Sequence, residues 1–225
     1  VSDPELAARW ADVSERVVEA TRSADRDPGS VTTIVVTKFH PVSLIRDLLD
    51  LGVADFGENR HQEAQEKSTE LAGTLARWHF IGQLQSKKAR HVRRYARAVH
   101  SVDRLALVPL LDAGEGTLDV FLQVNLTEDV ERGGAAPVDV EPLAEALAQA
   151  PGLTLRGVMA VAPLGQEPRP AFARLRGISE RIRAIDPAAT AISAGMSHDF
   201  AEAIAEGATH LRIGSAITGE RPART

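Results

Sequence analysis

Lys38 closes the run Thr33-Ile34-Val35-Val36-Thr37, just ahead of Pro41 and a helical pattern. A lysine at the exit of a buried parallel strand loses part of its hydration. That lowers its pKa and makes its amine a nucleophile able to form a Schiff base. Lysines also close strands as solvated ends, so Lys38 alone does not choose between the two roles. Further along, Gly195 and Ser197 follow one apolar run, and Gly214 and Ser215 follow another. Small residues there let a phosphate approach backbone N–H groups, and a helix start adds partial positive charge. Ser197 also reads as the N-cap of the helix beyond it. Arg212 is flanked by Leu211 and Ile213, so strand alternation puts it on the opposite face from both. A guanidinium turned inward needs an acceptor, either a ligand or a structural carboxylate.

These residues have to be positioned by regular elements. Leu6, Trp10, Val13, Val17 and Ala20 recur at helical spacing and predict an amphipathic helix before the first strand. Strand signals follow at 32–37, 55–57, 78–82, 98–101, 119–125, 154–159, 191–193 and 210–213. Helical patterns fall between most of them, at 42–51, 60–76, 86–95, 104–112, 140–150, 171–185 and 199–206. Glycines at helix exits, Gly52, Gly152 and Gly207, punctuate the alternation. Repeated βα units imply parallel pairing. Eight of them predict a single (β/α)8 TIM-like barrel with an extra N-terminal helix, and a doubly wound open sheet is the second choice. The segment 128–137, with Gly133-Gly134, reads as a mobile connection. In such a barrel the carboxyl ends of the strands carry the site, and loops seven and eight commonly bind phosphate. The strand ends here deliver Lys38, Glu58-Asn59, Gln85-Ser86, Asn125, Gly195-Met196-Ser197 and Arg212-Ile213-Gly214-Ser215.

Composition narrows the chemistry. The 225 residues are 44% hydrophobic, enough for a large core in one domain spanning 1–225. A formal net charge of −5 argues against a nucleic-acid partner. There is no cysteine, which excludes disulfides, thiolate nucleophiles and Cys-based metal sites and suits a reducing cytoplasm. The first twenty residues hold Asp3, Glu5, Asp12, Glu15 and Glu19, unlike a signal peptide. The chain begins at Val1 rather than methionine, compatible with removal of a preceding segment. No apolar stretch reaches the roughly 20 residues of a membrane helix, so no membrane partner is expected.

A lysine amine, a phosphate cradle and an arginine at one barrel mouth are the parts needed to hold pyridoxal 5'-phosphate. The sequence carries Val36-Thr37-Lys38, Phe56-Gly57-Glu58-Asn59, Trp78-His79-Phe80-Ile81-Gly82-Gln83-Leu84-Gln85-Ser86, Gly195-Met196-Ser197 with Asp199, and Arg212-Ile213-Gly214-Ser215-Ala216-Ile217. In that order and at those separations it resembles the pyridoxal phosphate homeostasis proteins over nearly its whole length. The fold of that family is similar to the barrel domain of bacterial alanine racemase without its second domain. The resemblance implies that Lys38 holds the cofactor as a Schiff base and that Ser197, Gly214 and Ser215 bind its phosphate. It also implies that Arg212 approaches the pyridine nitrogen while Asn59 and Met196 line the pocket. Lys87, Ala194, Ser215 and Thr218 depart from the family pattern, which carries asparagine, methionine, threonine and phenylalanine there. Ser215 keeps the hydroxyl, whereas Lys87 alters the charge at the mouth.

An arginine beside the ring nitrogen disfavours its protonation and makes the ring a poorer electron sink. Racemases of this construction add a tyrosine from another domain or subunit. The one tyrosine here, Tyr95, falls in a helical stretch away from every strand end. The expected function is therefore non-catalytic: a cytoplasmic, monomeric protein that stores, buffers or delivers pyridoxal phosphate, with cofactor-dependent apoenzymes as recipients. The alternatives are an amino-acid racemase or decarboxylase-like enzyme and a cofactor-free barrel acting on sugar phosphates. Lys87, Lys88, Arg90, His91, Arg93, Arg94 and Arg97 read as a solvated helix face. His79 reads as a hydrogen-bonded core histidine, and no histidine spacing suggests a metal. Glu58 reads either as an acid or base near Lys38 or as a helix cap.

Overall fold

A computed structural model describes residues 4–129 and 132–219. β-branched and aromatic runs form eight strands: β1 (Thr32–Val36), β2 (Asp55–Glu58), β3 (Arg77–Phe80), β4 (Ala96–Val102), β5 (Leu118–Gln123), β6 (Leu153–Met159), β7 (Ala191–Ser193) and β8 (His210–Ile213). Each pairs in parallel with the next, and β8 closes on β1 through Ile34 opposite Arg212. The expected barrel is the one observed, and the open sheet is not.

The helices are α1 (Pro4–Ser23), α2 (Val42–Asp50), α3 (His61–Glu70), α4 (Ser86–Arg93), α5 (Val108–Asp112), α6 (Val140–Gln149), α7 (Pro168–Ile182), α8 (Phe200–Ala205) and α9 (Ser215–Thr218). The extra helix α1 buries Leu6, Val13 and Val17 and lies on α8 and α9, where Arg9 Nε donates to the Ile217 carbonyl at 2.8 Å.

Three expected helices differ most in their bounds. The pattern over 60–76 stops at Glu70 because Gly73 takes a left-handed φ of 81° and Thr74 Oγ1 donates to the Leu71 carbonyl at 2.7 Å. The stretch 104–112 divides into a 3-10 turn at Leu105–Leu107 and α5, whose first turn holds Pro109. The third, α7, starts earlier, at Pro168, where the missing proline N–H costs nothing. Strand five ends at Gln123 rather than Asn125, because the chain beyond bridges Val124 to Ala135. Residues 130–131 of the expected mobile connection lie outside the described residues. Around them Ala135 is buried, and Asn125 Nδ2 donates to the Asp129 carbonyl at 2.8 Å.

Side-chain alternation sorts the strands into two environments. Outward residues such as Val35, Phe56, Val99, Leu122 and Leu211 join Ile45, Leu48, Leu147 and Leu175 of the helices in one large apolar cluster. Inside the barrel the apolar cluster is small, Ala98, Phe121, Met159 and Ala191, and shares the space with buried His79, His100, Ser193 and Arg212. A polar barrel interior is unusual for a layer normally filled by branched aliphatics, and it sits directly beneath the strand ends.

Candidate functional site at the carboxyl end of the barrel

Alternation along β1 turns Ile34 and Val36 inward and Thr37 outward, so Lys38 continues the inward face. It lines a cavity of about 300 Å³ together with Asn59, Met196, Ser197, Arg212, Gly214 and Ser215. All seven residues singled out in the sequence thus share one cavity. Val36, His40, Ile81, Val161, His198 and Thr218 complete much of its wall. Asn125, Gln85 and Ser86 do not reach it. Asn125 Oδ1 instead accepts from the Thr127 N–H at 2.9 Å, and Ser86 Oγ accepts from Arg104. A larger hollow of about 380 Å³ lies outside the barrel beside Trp78, His91, Arg94 and Tyr95. There the Tyr95 hydroxyl lies 3.4 Å from His61 Nδ1, and burial raises its pKa.

The turn that carries Lys38 is clamped from behind by α3. Phe39 adopts a left-handed φ of 70°, a conformation that costs a residue with a Cβ about 1–3 kcal/mol. Its N–H donates to Glu63 Oε1 at 2.5 Å. Lys67 Nζ donates to the Thr37 carbonyl at 2.8 Å, to Glu58 Oε1 at 2.7 Å and to Glu63 Oε1 at 2.6 Å. Contacts from one helix therefore grip the residues on both sides of Lys38. Glu58 faces this helix rather than the cavity, so neither sequence reading of it holds: it does not face Lys38's side of the strand, and it does not cap α3. Burial raises its pKa, and the Lys67 ammonium opposes that rise. Sequence reasoning missed Lys67, although Glu63 and Lys67 at i,i+4 on a mostly polar helix offered a signal.

Gly82 shows why the exits of β2 and β3 can meet. A Cβ there would overlap the backbone of Asn59, so only glycine lets the two loops approach. Asn59 Oδ1 is buried at the cavity without a hydrogen-bond partner among the described residues.

The loops after β7 and β8 are joined to each other. Met196 N–H donates to Asp199 Oδ1 at 2.6 Å, and Ser197 Oγ accepts from the Ala216 N–H at 3.4 Å. Ser197 is not the cap of α8, whose capping position is Asp199. The N–H groups of Ser215 and Ala216 precede the first helical bond of α9, which Ile217 N–H makes to the Gly214 carbonyl at 2.8 Å.

Arg212 is 5% exposed, and among the described residues no carboxylate lies within 4.0 Å of it. Its Nη1 donates to Ser193 Oγ at 2.8 Å and its Nη2 to the Ala160 carbonyl at 2.9 Å. Burial lowers its pKa to about 10, with Asp199 opposing the shift from a distance. A buried guanidinium without a carboxylate, an orphaned amide oxygen, a lysine and a hydroxyl-rich turn together fit an anionic, ring-shaped ligand with an aldehyde and a phosphate. Pyridoxal phosphate satisfies all four.

His79 is a buried hydrogen-bonded histidine, as the sequence suggested, bonded to Asp55 and His100. Lys87, Lys88, Arg90, His91, Arg94 and Arg97 are exposed. Arg93 instead fastens neighbouring loops, donating to the carbonyls of Gly152 at 3.1 Å and Gly116 at 2.7 Å.

Comparison with known proteins gives concordant results. The family described as alanine racemase, N-terminal domain, matches residues 22–222. A pyridoxal phosphate homeostasis protein of Pseudomonas aeruginosa is 42% identical over 223 residues, covering 96% of each chain. One from Escherichia coli is 36% identical, covering 96% of this chain and 97% of that protein. PipY of Synechococcus elongatus, solved with pyridoxal phosphate bound, superimposes with a TM-score of 0.84 at 38% identity, covering 95% of this chain and all of that one. Alanine racemase of Corynebacterium glutamicum shares the fold, with a TM-score of 0.71 at 16% identity over 62% of its length.

Proposed function

Because the chain belongs to the pyridoxal phosphate homeostasis protein family, we propose that it binds pyridoxal 5'-phosphate and holds it reversibly for storage, buffering or delivery rather than for turnover. What supports this most directly is the convergence of Lys38, Arg212 and the Gly214-Ser215 turn on one cavity of about 300 Å³. The bound group offers an aldehyde, with which a lysine amine forms a Schiff base and releases water, so the tether is reversible by water.

Each residue has an assigned part. Lys38 is the amine, kept at the cavity by the grip of Glu63 and Lys67 on its neighbours. Ser197, Ser215 and the backbone at Gly214 bind the phosphate, Asn59 and Met196 bound the ring, and Arg212 faces the ring nitrogen. A permanent cation at that nitrogen repels a second proton, which weakens the ring as an electron sink. No tyrosine enters the cavity among the described residues, so the general base used by racemases of this fold has no counterpart from this chain. The chain works as a single barrel domain, a monomer in the cytoplasm, and supplies apoenzymes that require the cofactor.

The test is an absorption spectrum with added pyridoxal phosphate, recorded for the wild type and for Lys38→Ala. An imine band is expected in the first sample only; equal bands in both would refute the role of Lys38. Incubation of the loaded protein with L-amino acids, followed by chiral chromatography, addresses catalysis. Substantial racemisation that disappears in Lys38→Ala would overturn the storage reading in favour of an enzyme.

A further inference from the structure

The polar residues inside the barrel form a continuous row. Arg212 Nη1 lies 2.8 Å from Ser193 Oγ, which lies 2.8 Å from His100 Nδ1. His100 Nε2 lies 2.9 Å from His79 Nδ1, and His79 Nε2 lies 2.9 Å from Asp55 Oδ1. Asp55 is at the start of β2, at the amino end of the barrel, where Arg77 also pairs with it.

Chemistry fixes the two ends of this row, and with both imidazoles neutral a single direction satisfies every bond between them. A guanidinium only donates, so Ser193 Oγ accepts from Arg212 and keeps its single proton for His100 Nδ1. With Nδ1 accepting, a neutral His100 carries its proton on Nε2 and donates to His79 Nδ1. His79 then carries its proton on Nε2 and donates to Asp55. An ionised carboxylate only accepts, so from the Asp55 end a neutral His79 donates from Nε2 and accepts at Nδ1, which gives the same direction. Burial opposes the charge on Asp55, but hydrogen bonds from His79 and Arg77 outweigh it and hold its pKa at about 2. Burial also keeps His100 neutral, with its ring stacked 4.2 Å from that of Phe121.

We propose that Asp55, His79, His100 and Ser193 are positioning residues: a one-way hydrogen-bonded row that orients the Arg212 guanidinium in the cavity and links it to a counter-charge across the barrel. This accounts for a buried arginine that has no carboxylate beside it. A guanidinium held only by a carbonyl and a hydroxyl would be costly to bury. Aligned hydrogen bonds ending on a carboxylate polarise one another and strengthen the hydroxyl as an acceptor. Other charged or titratable groups facing the row are Arg77 at Asp55, His210 and Arg156 near the histidines, and Lys38, His40, His198 and Asp199 around the cavity. The functional half of this proposal rests on the reading of the cavity as a pyridoxal phosphate site.

The row itself is tested without the cofactor. Nitrogen-15 NMR of histidine-labelled protein should show both His79 and His100 as neutral rings protonated on Nε2 near neutral pH. A proton on Nδ1 of either ring would overturn the row. Its function is tested by titrating the imine band with pyridoxal phosphate and pH in two variants, each checked for a native circular dichroism spectrum. Ser193→Ala frees the guanidinium and should weaken binding about tenfold, the effect of one hydrogen bond to a charged group. Asp55→Asn keeps the shape but removes the distant negative charge. It should lower the pH midpoint of the imine band, because the potential at the cavity becomes more positive. Unchanged affinity in the first variant and an unchanged midpoint in the second would overturn the positioning role. If the wild type gives no imine band, the cavity reading fails, while the NMR result still decides the row.

Discussion

At the scale of single residues, the least visible contributor is Lys67. Its ammonium is almost fully buried between Glu58 and Glu63, and it also holds the carbonyl preceding Lys38. Removing one partner of such a cluster leaves charge buried without compensation. Lys67→Met should therefore destabilise the fold by about 3–5 kcal/mol in urea denaturation, and adding Glu58→Gln should recover part of the loss. A loss below about 1 kcal/mol would mean that Glu58 takes up a proton at little cost. Of the seven cavity residues, Lys38, Ser197, Gly214 and Ser215 were legible as small or reactive residues just past strand ends and Arg212 from strand alternation, whereas Asn59 and Met196 came only through the family resemblance. Lys67 was not legible in this way. It acts from a helix on the far side of the strand, and its partners are brought to it only by the packing of α3 on β1 and β2.

At the scale of elements, strand positions were readable because alternating or continuous apolar runs repeat between glycine-marked helix ends. Helix ends were less readable where the stop is a tertiary event or a turn conformation, as at Gly73 and in the split before α5. Glycines give the contrast a measurable form. In the β3 exit, Gly82→Ala would push a methyl into the backbone of Asn59, so a loss of about 1–3 kcal/mol and weaker cofactor binding are expected. Gly177, inside α7, has open space where a Cβ would stand, so Gly177→Ala should gain about 0.5–1 kcal/mol. Thermal denaturation of the two variants beside the wild type checks both signs, and a stabilised Gly82→Ala would mean that the two loops are not in contact.

At the scale of the whole molecule, the polar barrel interior makes stability depend on pH. Burial lowers the pKa of His210 to about 4, with Arg156 and Arg212 adding repulsion, and burial lowers that of His100 further. Both imidazoles are neutral in the folded state, whereas in the unfolded chain they protonate near pH 6.5. The unfolded state therefore binds more protons between those values. This contribution is present above about pH 6.5 and is lost as pH falls through about 4. For His210 alone the loss from about pH 7 to about pH 5 is on the order of 2 kcal/mol. Urea midpoints should fall over that range and fall less in His210→Gln; a flat wild-type profile would contradict the burial of these rings. The row from Arg212 to Asp55 also orders charge along the barrel axis, with the cation at the mouth and the carboxylate at the base. The whole chain, at −5, repels a phosphate ester at long range, yet its mouth presents the positive pole of the barrel. An anion is thus held off by the molecule as a whole and drawn in only within about one Debye length of the cavity, about 8–10 Å.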